Sequence, residues 1–262
     1  MPATSSARST HEIGRLRDLP TDDSLCRWAA QDLSAGRAFV RGAAVAVAAP
    51  NLSLLDRLAV TGPADDAVPL VREVLREVGP SYRPLGDREL IDTVVRAVPS
   101  LRPVAGFGWM DRTGPPVGPV PSGGGSARWL PDSAAPEVGA LLDTAFPASY
   151  AYPGRPGARD RWAGARADGR LAAVAALTWC APTVGYVAGV ATAAAARGRG
   201  LAREVCALVV AEALAVHGTA ALIVDDSNAL ALRLYRGALA LRLYRGLGLA
   251  YRPLRAAGVE TG

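Results

Sequence analysis

The polar and apolar positions along the chain fall into segments of two periods. Ala67, Val71, Val74, Leu75 and Val78 recur at helical spacing and predict a helix over 64–78, stopped by Gly79-Pro80. A second helix is predicted over 87–98 and a short one over 26–33. The β-branched and small apolar run at 38–48 reads as a strand or a strand pair, with further strands at 56–60 and 101–110. Residues 1–24 are polar and predict a flexible N-terminus. The order strand, helix, helix, strand predicts a small α+β domain over 25–112.

Residues 113–126, T-G-P-P-V-G-P-V-P-S-G-G-G-S, carry too little apolar surface to pack a core and predict a linker. The pattern then restarts. A strand is expected at 127–130, and a helix at 136–146 with Val138, Leu141, Leu142 and Phe146 on one side. An irregular segment, 147–161, holds Tyr150, Tyr152 and several arginines. Strands at 162–166 and 171–179 face each other across Asp168-Gly169, a hairpin signal. Residues 184–192 read as a buried strand and 201–216 as a helix with a thin solvent face. The apolar run 220–224 ends in Asp225-Asp226, as a buried parallel strand does, and a last strand is expected near 250–253. A second domain over 127–262 follows.

Half of the 262 residues are hydrophobic, enough for a packed core, but no charge-free run reaches the length of a spanning helix. The first residues lack a signal-peptide core, and Cys26, Cys180 and Cys206 are sparse and odd in number. The expectation is a cytoplasmic protein with reduced thiols and no membrane partner. No spacing suits a metal. His217 falls at the end of a helix, where a cation is favourable. Every Lys/Arg position is arginine, and the net charge of +5 lies wholly in residues 125–262, with 15 Arg against 10 acidic residues. That bias suits an anionic ligand. It is too scattered for nucleic acid.

The chemistry concentrates where strand 184–192 turns into helix 201–216. Arg197-Gly198-Arg199-Gly200-Leu201-Ala202 puts two glycines and two arginines at a helix N-terminus. Free N–H groups, the positive end of the helix dipole and guanidinium donors together suit a phosphate. The pattern Arg-x-x-Gly-x-Ala resembles the coenzyme A signature of the GNAT superfamily of N-acetyltransferases. The earlier 58–72 stretch has the same strand–turn–helix character, but its turn carries Asp65 and Asp66, which would repel a pyrophosphate. The first domain is therefore either a degenerate GNAT-like half or an unrelated α+β module.

A second signature is interrupted. Residues 229–237, A-L-A-L-R-L-Y-R-G, recur unchanged at 238–246. With one copy removed, Asn228 onward resembles the family's other motif: Asn, Ala, Leu-Tyr and Leu-Gly at the family's spacing. Counting from Asn228 selects Tyr235, and counting back from Leu247-Gly248 selects Tyr244. Nine helical residues turn the chain by about 900° and advance it about 13 Å, so only one tyrosine can face a given point. Spacing from Asn228, which begins the helix beside the cofactor, favours Tyr235.

The resemblance implies an α/β (α+β) fold with a mixed central sheet flanked by helices. The C-terminal half has the GNAT-like acyl-CoA fold, beside a smaller α+β domain. It implies acetyl transfer from acetyl-CoA to a small-molecule or protein amine. Arg197, Gly198, Arg199, Gly200, Leu201 and Ala202 would hold the pyrophosphate. Backbone groups of Val190, Ala191 and Thr192 would bind the pantetheine arm, with Asn228 beside the cofactor. Tyr235 or Tyr244 would protonate the leaving thiolate. Members of the family often build the acceptor site in the loop corresponding to 147–161; the residues alone equally suit a solvated surface loop. Many members carry a Glu on the central strand as base. Here none is present, and Asp225, Asp226, Glu137 and Tyr150 stand as candidates. The alternative is an acyl-CoA-binding pseudoenzyme inactivated by the duplication.

Overall fold

A computed structural model of the chain describes residues 10–15, 18–115, 126–155, 160–225 and 238–259. The chain forms two compact units, one of residues 1–107 with 253–262, the other of residues 108–252.

The first unit contains β1 (His11–Ile13), α1 (Ser24–Ala29), β2 (Arg37–Arg41), β3 (Ala44–Leu52), β4 (Leu55–Thr61), α2 (Ala64–Val78), β5 (Arg83–Asp87) and α3 (Arg88–Ala97). It also takes the first half of β6 (Leu101–Thr113). β1 to β4 pair antiparallel in sequence order, and β4 pairs parallel with β5. Helix α2 keeps the boundaries its periodicity predicts. It buries Ala67, Leu70, Val71 and Val74, one stripe at i, i+3, i+4, i+7, and Gly79 at φ 99° ends it. Asp87 caps α3 by accepting from the Glu89 N–H. The expected strand–helix–helix–strand order omitted β5. Its sequence R-P-L-G-D is poor in strand formers, yet it is buried at Pro84, Leu85 and Gly86.

The second unit contains the rest of β6, β7 (Ala127–Trp129), α4 (Ala135–Ala145), β8 (Arg161–Ala167), β9 (Arg170–Ala181), β10 (Val184–Thr192), α5 (Leu201–His217), β11 (Thr219–Asp225), α6 (Ala238–Gly246) and the start of β12 (Ala250–Val259). β7 to β10 pair antiparallel in order, and β10 pairs parallel with β11. Asp168 and Gly169, both at positive φ, close the β8–β9 hairpin. On one face of the sheet α5 packs Val205, Val209 and Leu214 against Leu177, Val187 and Leu222. On the other, α4 packs Val138, Leu141 and Leu142 against Trp162, Val174 and Ala176. Gly218 at φ 77° ends α5, its N–H bonded to the Leu214 carbonyl.

The chain passes between units inside β6, after Phe107, whereas the sequence suggests the 113–126 stretch as the boundary. β12 is longer than expected. Its later residues belong to the first unit, where Leu254, Arg255 and Ala256 pair with Asp87, Gly86 and Leu85. Local pattern does not carry such a return, because the pairing partner lies about 170 positions away in sequence. Among the described residues no helix is long and apolar enough to cross a membrane.

Candidate acyl-CoA site

The site begins with a parting of two parallel strands. The registered pairs of β10 and β11 are Gly185–Ala220 and Tyr186–Ala221, at their N-terminal ends. From Val187 to Thr192 the β10 edge extends for about 17 Å at the usual strand rise. The same segment holds a bulge. The β9–β10 register shifts between Ala188 and Ala191, and Gly189 sits at φ 60°. Val187 and Val190 pack toward the α5 core, while Ala188 and Ala191 pack toward the α4 core. Successive positions on one face are therefore three apart instead of two, so one residue is extra and β10 bends away. Gly189 is needed for this. A Cβ there would lie 2.6 Å from the Trp162 ring and 3.3 Å from Ala151.

The turn after β10 supplies the anion end. Gly198 and Gly200 adopt φ 79° and 82°, and among the described residues nothing lies within 4 Å of where their Cβ atoms would be. Gly200 is the N-cap of α5 and offers no side-chain cap. The helix ladder starts with Arg203 and Glu204 donating to the Gly200 carbonyl, which leaves earlier N–H groups to a ligand. Arg197 and Arg199 are exposed. Arg199 meets Asp168 at 3.3 Å, an exposed pair that a phosphate can displace at small cost. Leu201 is buried and anchors the first helical turn. Glu204 accepts from the Ser126 N–H and hydroxyl, tying α5 to the start of the β7 segment.

Tyr244, on α6, is buried at 7 % exposure within the α5-side core. Burial, with Cys206 and Tyr186 nearby, raises its hydroxyl well above the usual tyrosine value, so it remains protonated at neutral pH. Burial likewise pushes the Cys206 thiol up to about 12, which makes it inert. Tyr235 and Asn228 lie outside the described residues, as does Asp226. Asp225 is the last residue of β11. Glu137 is tied to Arg166 and to the Leu171 N–H, and the Arg166 hydrogen bonds hold its carboxyl below the usual range, a poor setting for a base. Tyr150 is 58 % exposed.

The structure adds groups that sequence reasoning did not single out. Trp109 of β6 and Trp179 of β9 each lie 6.2 Å from the Tyr186 ring, at the closed end of the β10–β11 gap. Arg155, Asp160 and Thr178 join them from the 147–161 segment and β9. No spacing marks these residues, because long-range strand register brings them together.

A parallel pair thus parts along the strand that leads into a glycine turn at a helix N-terminus. The Acetyltransferase (GNAT) family model matches residues 128–238. The chain is 30% identical to a GNAT-family protein from Novosphingobium aromaticivorans, covering 62% of this chain and 69% of that one, with a TM-score of 0.45. It shares the fold of a GCN5-related N-acetyltransferase from Kribbella flavida, at 20% identity over 92% and 98% of the two chains and a TM-score of 0.57. A GCN5-related N-acetyltransferase from Sphaerobacter thermophilus aligns at 16% identity over 96% and 95%, with a TM-score of 0.54. No curated protein matches the sequence. The chain belongs to the GNAT family of acetyltransferases.

Proposed function

We propose that the protein transfers an acetyl group from acetyl-CoA to an amine, small-molecule or protein-borne, in the cytoplasm. The observation that carries this reading is the parting of β10 from β11 after Tyr186–Ala221, on the strand that leads into the Gly198–Gly200 turn. The N–H groups around Gly200, with Arg197 and Arg199, take the pyrophosphate. The free edge of β10 at Val190, Ala191 and Thr192 takes the pantetheine arm. A backbone N–H in the bulged segment polarises the thioester carbonyl. The amine nitrogen attacks that carbon, the C–S bond breaks, and the thiolate takes a proton from a tyrosine hydroxyl. The proton lost by the amine restores the tyrosine.

Tyr235 is favoured by its spacing from Asn228. Tyr244 is favoured by its burial beside Tyr186 and Cys206, and we assign the acid to Tyr244 on that ground. The nine-residue repeat at 229–246 favours a second reading, an acyl-CoA-binding protein without turnover. Free-thiol release from acetyl-CoA in the presence of a panel of primary amines tests both. Amine-dependent release supports transfer. Tight acetyl-CoA binding with no release from any amine supports the second reading.

A further inference from the structure

On the α4 face, one row of the sheet runs from Asp160 through Thr178 to Tyr186, at the end of β10 remote from the glycine turn. Trp179 joins this row through a second bulge. Val184 pairs with Ala181 and Tyr186 with Thr178, so β9 carries one extra residue there, and Trp179 takes φ 44°. That value is uncommon for a bulky side chain and persists only when its surroundings hold it. The result is an indole set edge-on to Tyr186 at 6.2 Å and lying flat beneath a guanidinium.

That guanidinium belongs to Arg155, 4.1 Å from the Trp179 ring centroid and 19% exposed. Its Nη2 donates to Asp160 at 2.9 Å and to Thr178 at 3.2 Å, and its Nε donates to the Tyr152 carbonyl. Asp160, 7% exposed, also accepts from the Thr178 hydroxyl. The fork is thus fixed on one side and beneath. Among the described residues no partner engages Nη1, which keeps two donors in a fixed plane. A clamped guanidinium of this kind suits an oxyanion better than a mobile lysine does.

Resting on the acetyl-transfer reading, we infer that Arg155 on its Trp179 platform anchors the acceptor by a carboxylate carried on the molecule that presents the amine. The guanidinium lies 4.1 Å from the Trp179 ring, whose centroid lies 6.2 Å from that of Tyr186 at the closed end of the gap. The carboxylate and the amine are therefore separated by several bonds, which points to ω-amino acids rather than α-amino acids.

The test uses the full chain and two matched pairs of amines: γ-aminobutyrate against propylamine, and ε-aminocaproate against pentylamine. Thiol release and equilibrium binding to the CoA-loaded protein, followed by tryptophan fluorescence, are both read. The expected result is a KM and a dissociation constant about 10- to 100-fold lower for the carboxylate member of at least one pair, the scale of one charge-assisted contact. Arg155→Gln and Arg155→Lys should bring that ratio toward one, with thermal melting confirming that each variant is folded. Equal values within both pairs for the parent overturn the inference, as does a ratio that survives both substitutions. Selective binding of the carboxylate amines without thiol release leaves the anchor standing and overturns acetyl transfer instead.

Discussion

The two units run their elements in the same order, strand, helix, three antiparallel strands, helix, parallel strand, helix, strand, yet only one is built to open. In the first, the β4–β5 ladder continues from Arg57–Arg83 to Val60–Gly86. A Cβ at Gly86 would lie 2.5 Å from the Val60 carbonyl, so glycine here lets the strands close. In the second, β10 and β11 part after Tyr186–Ala221, and Gly189 permits the bulge that opens them. The helix N-termini differ in sign as well. Asp66 of α2 is 3% exposed, accepts from the Ala43 N–H at 3.0 Å and fills the space beside Gly42. The corresponding turn in the second unit has two left-handed glycines with no described residue within 4 Å of their Cβ positions. One topology thus gives a continuous parallel ladder and an interrupted one. The difference lies in where glycine stands and in which charge faces the helix end.

The largest expected effect breaks the open site at its anion end. Gly200→Glu places a carboxylate on the proposed pyrophosphate position and a Cβ on a left-handed residue. Acetyl-CoA affinity should fall by about 100-fold or more, the scale of losing a charge-assisted contact and adding repulsion. Asp65→Ala, at the exposed equivalent turn of the first unit, should leave affinity unchanged in the same calorimetric titration. Next comes the acid. Tyr244→Phe should lower thiol release by about 10²-fold at constant acetyl-CoA affinity, and Tyr235→Phe should do little. The reverse pattern moves the role to the first copy of the repeat.

A fragment comparison sharpens the division between units. Trp109 and Met110, both fully buried, belong to the second unit. A fragment of 108–262 should therefore be more stable to urea than one of 125–262, by about 3–6 kcal/mol for two buried side chains. Equal midpoints would return the boundary to the 113–126 stretch. The smallest effect is on pH. Burial raises the Tyr244 hydroxyl, so its proton is present below the ordinary value and is lost only at more alkaline pH. Thiol release should show no alkaline loss from this group below about pH 10. A falling limb near neutrality would mean that another group supplies the proton.

Local features of the fold were legible, and long-range ones were not. The α2 stripe, the Asp168-Gly169 hairpin and the 184–217 strand–turn–helix are written in adjacent residues. β5 escaped because Pro84 and Gly86 hide a strand that parallel pairing buries. The reach of β12 into the first unit escaped because nothing near Leu254 names Gly86. The same holds within the site. Arg197 to Ala202 mark the proposed anion turn by composition. Arg155, Asp160 and Trp179 meet only through strand register and a left-handed bulge residue.

The central claim is that acetyl-CoA enters the gap of the second unit and finds none in the first. Amide hydrogen exchange on the full chain, with and without saturating acetyl-CoA, tests it most directly. The account predicts added protection at 187–192 and 198–202, and none at 57–66. Protection at 57–66, or none at either stretch despite saturation, would contradict it.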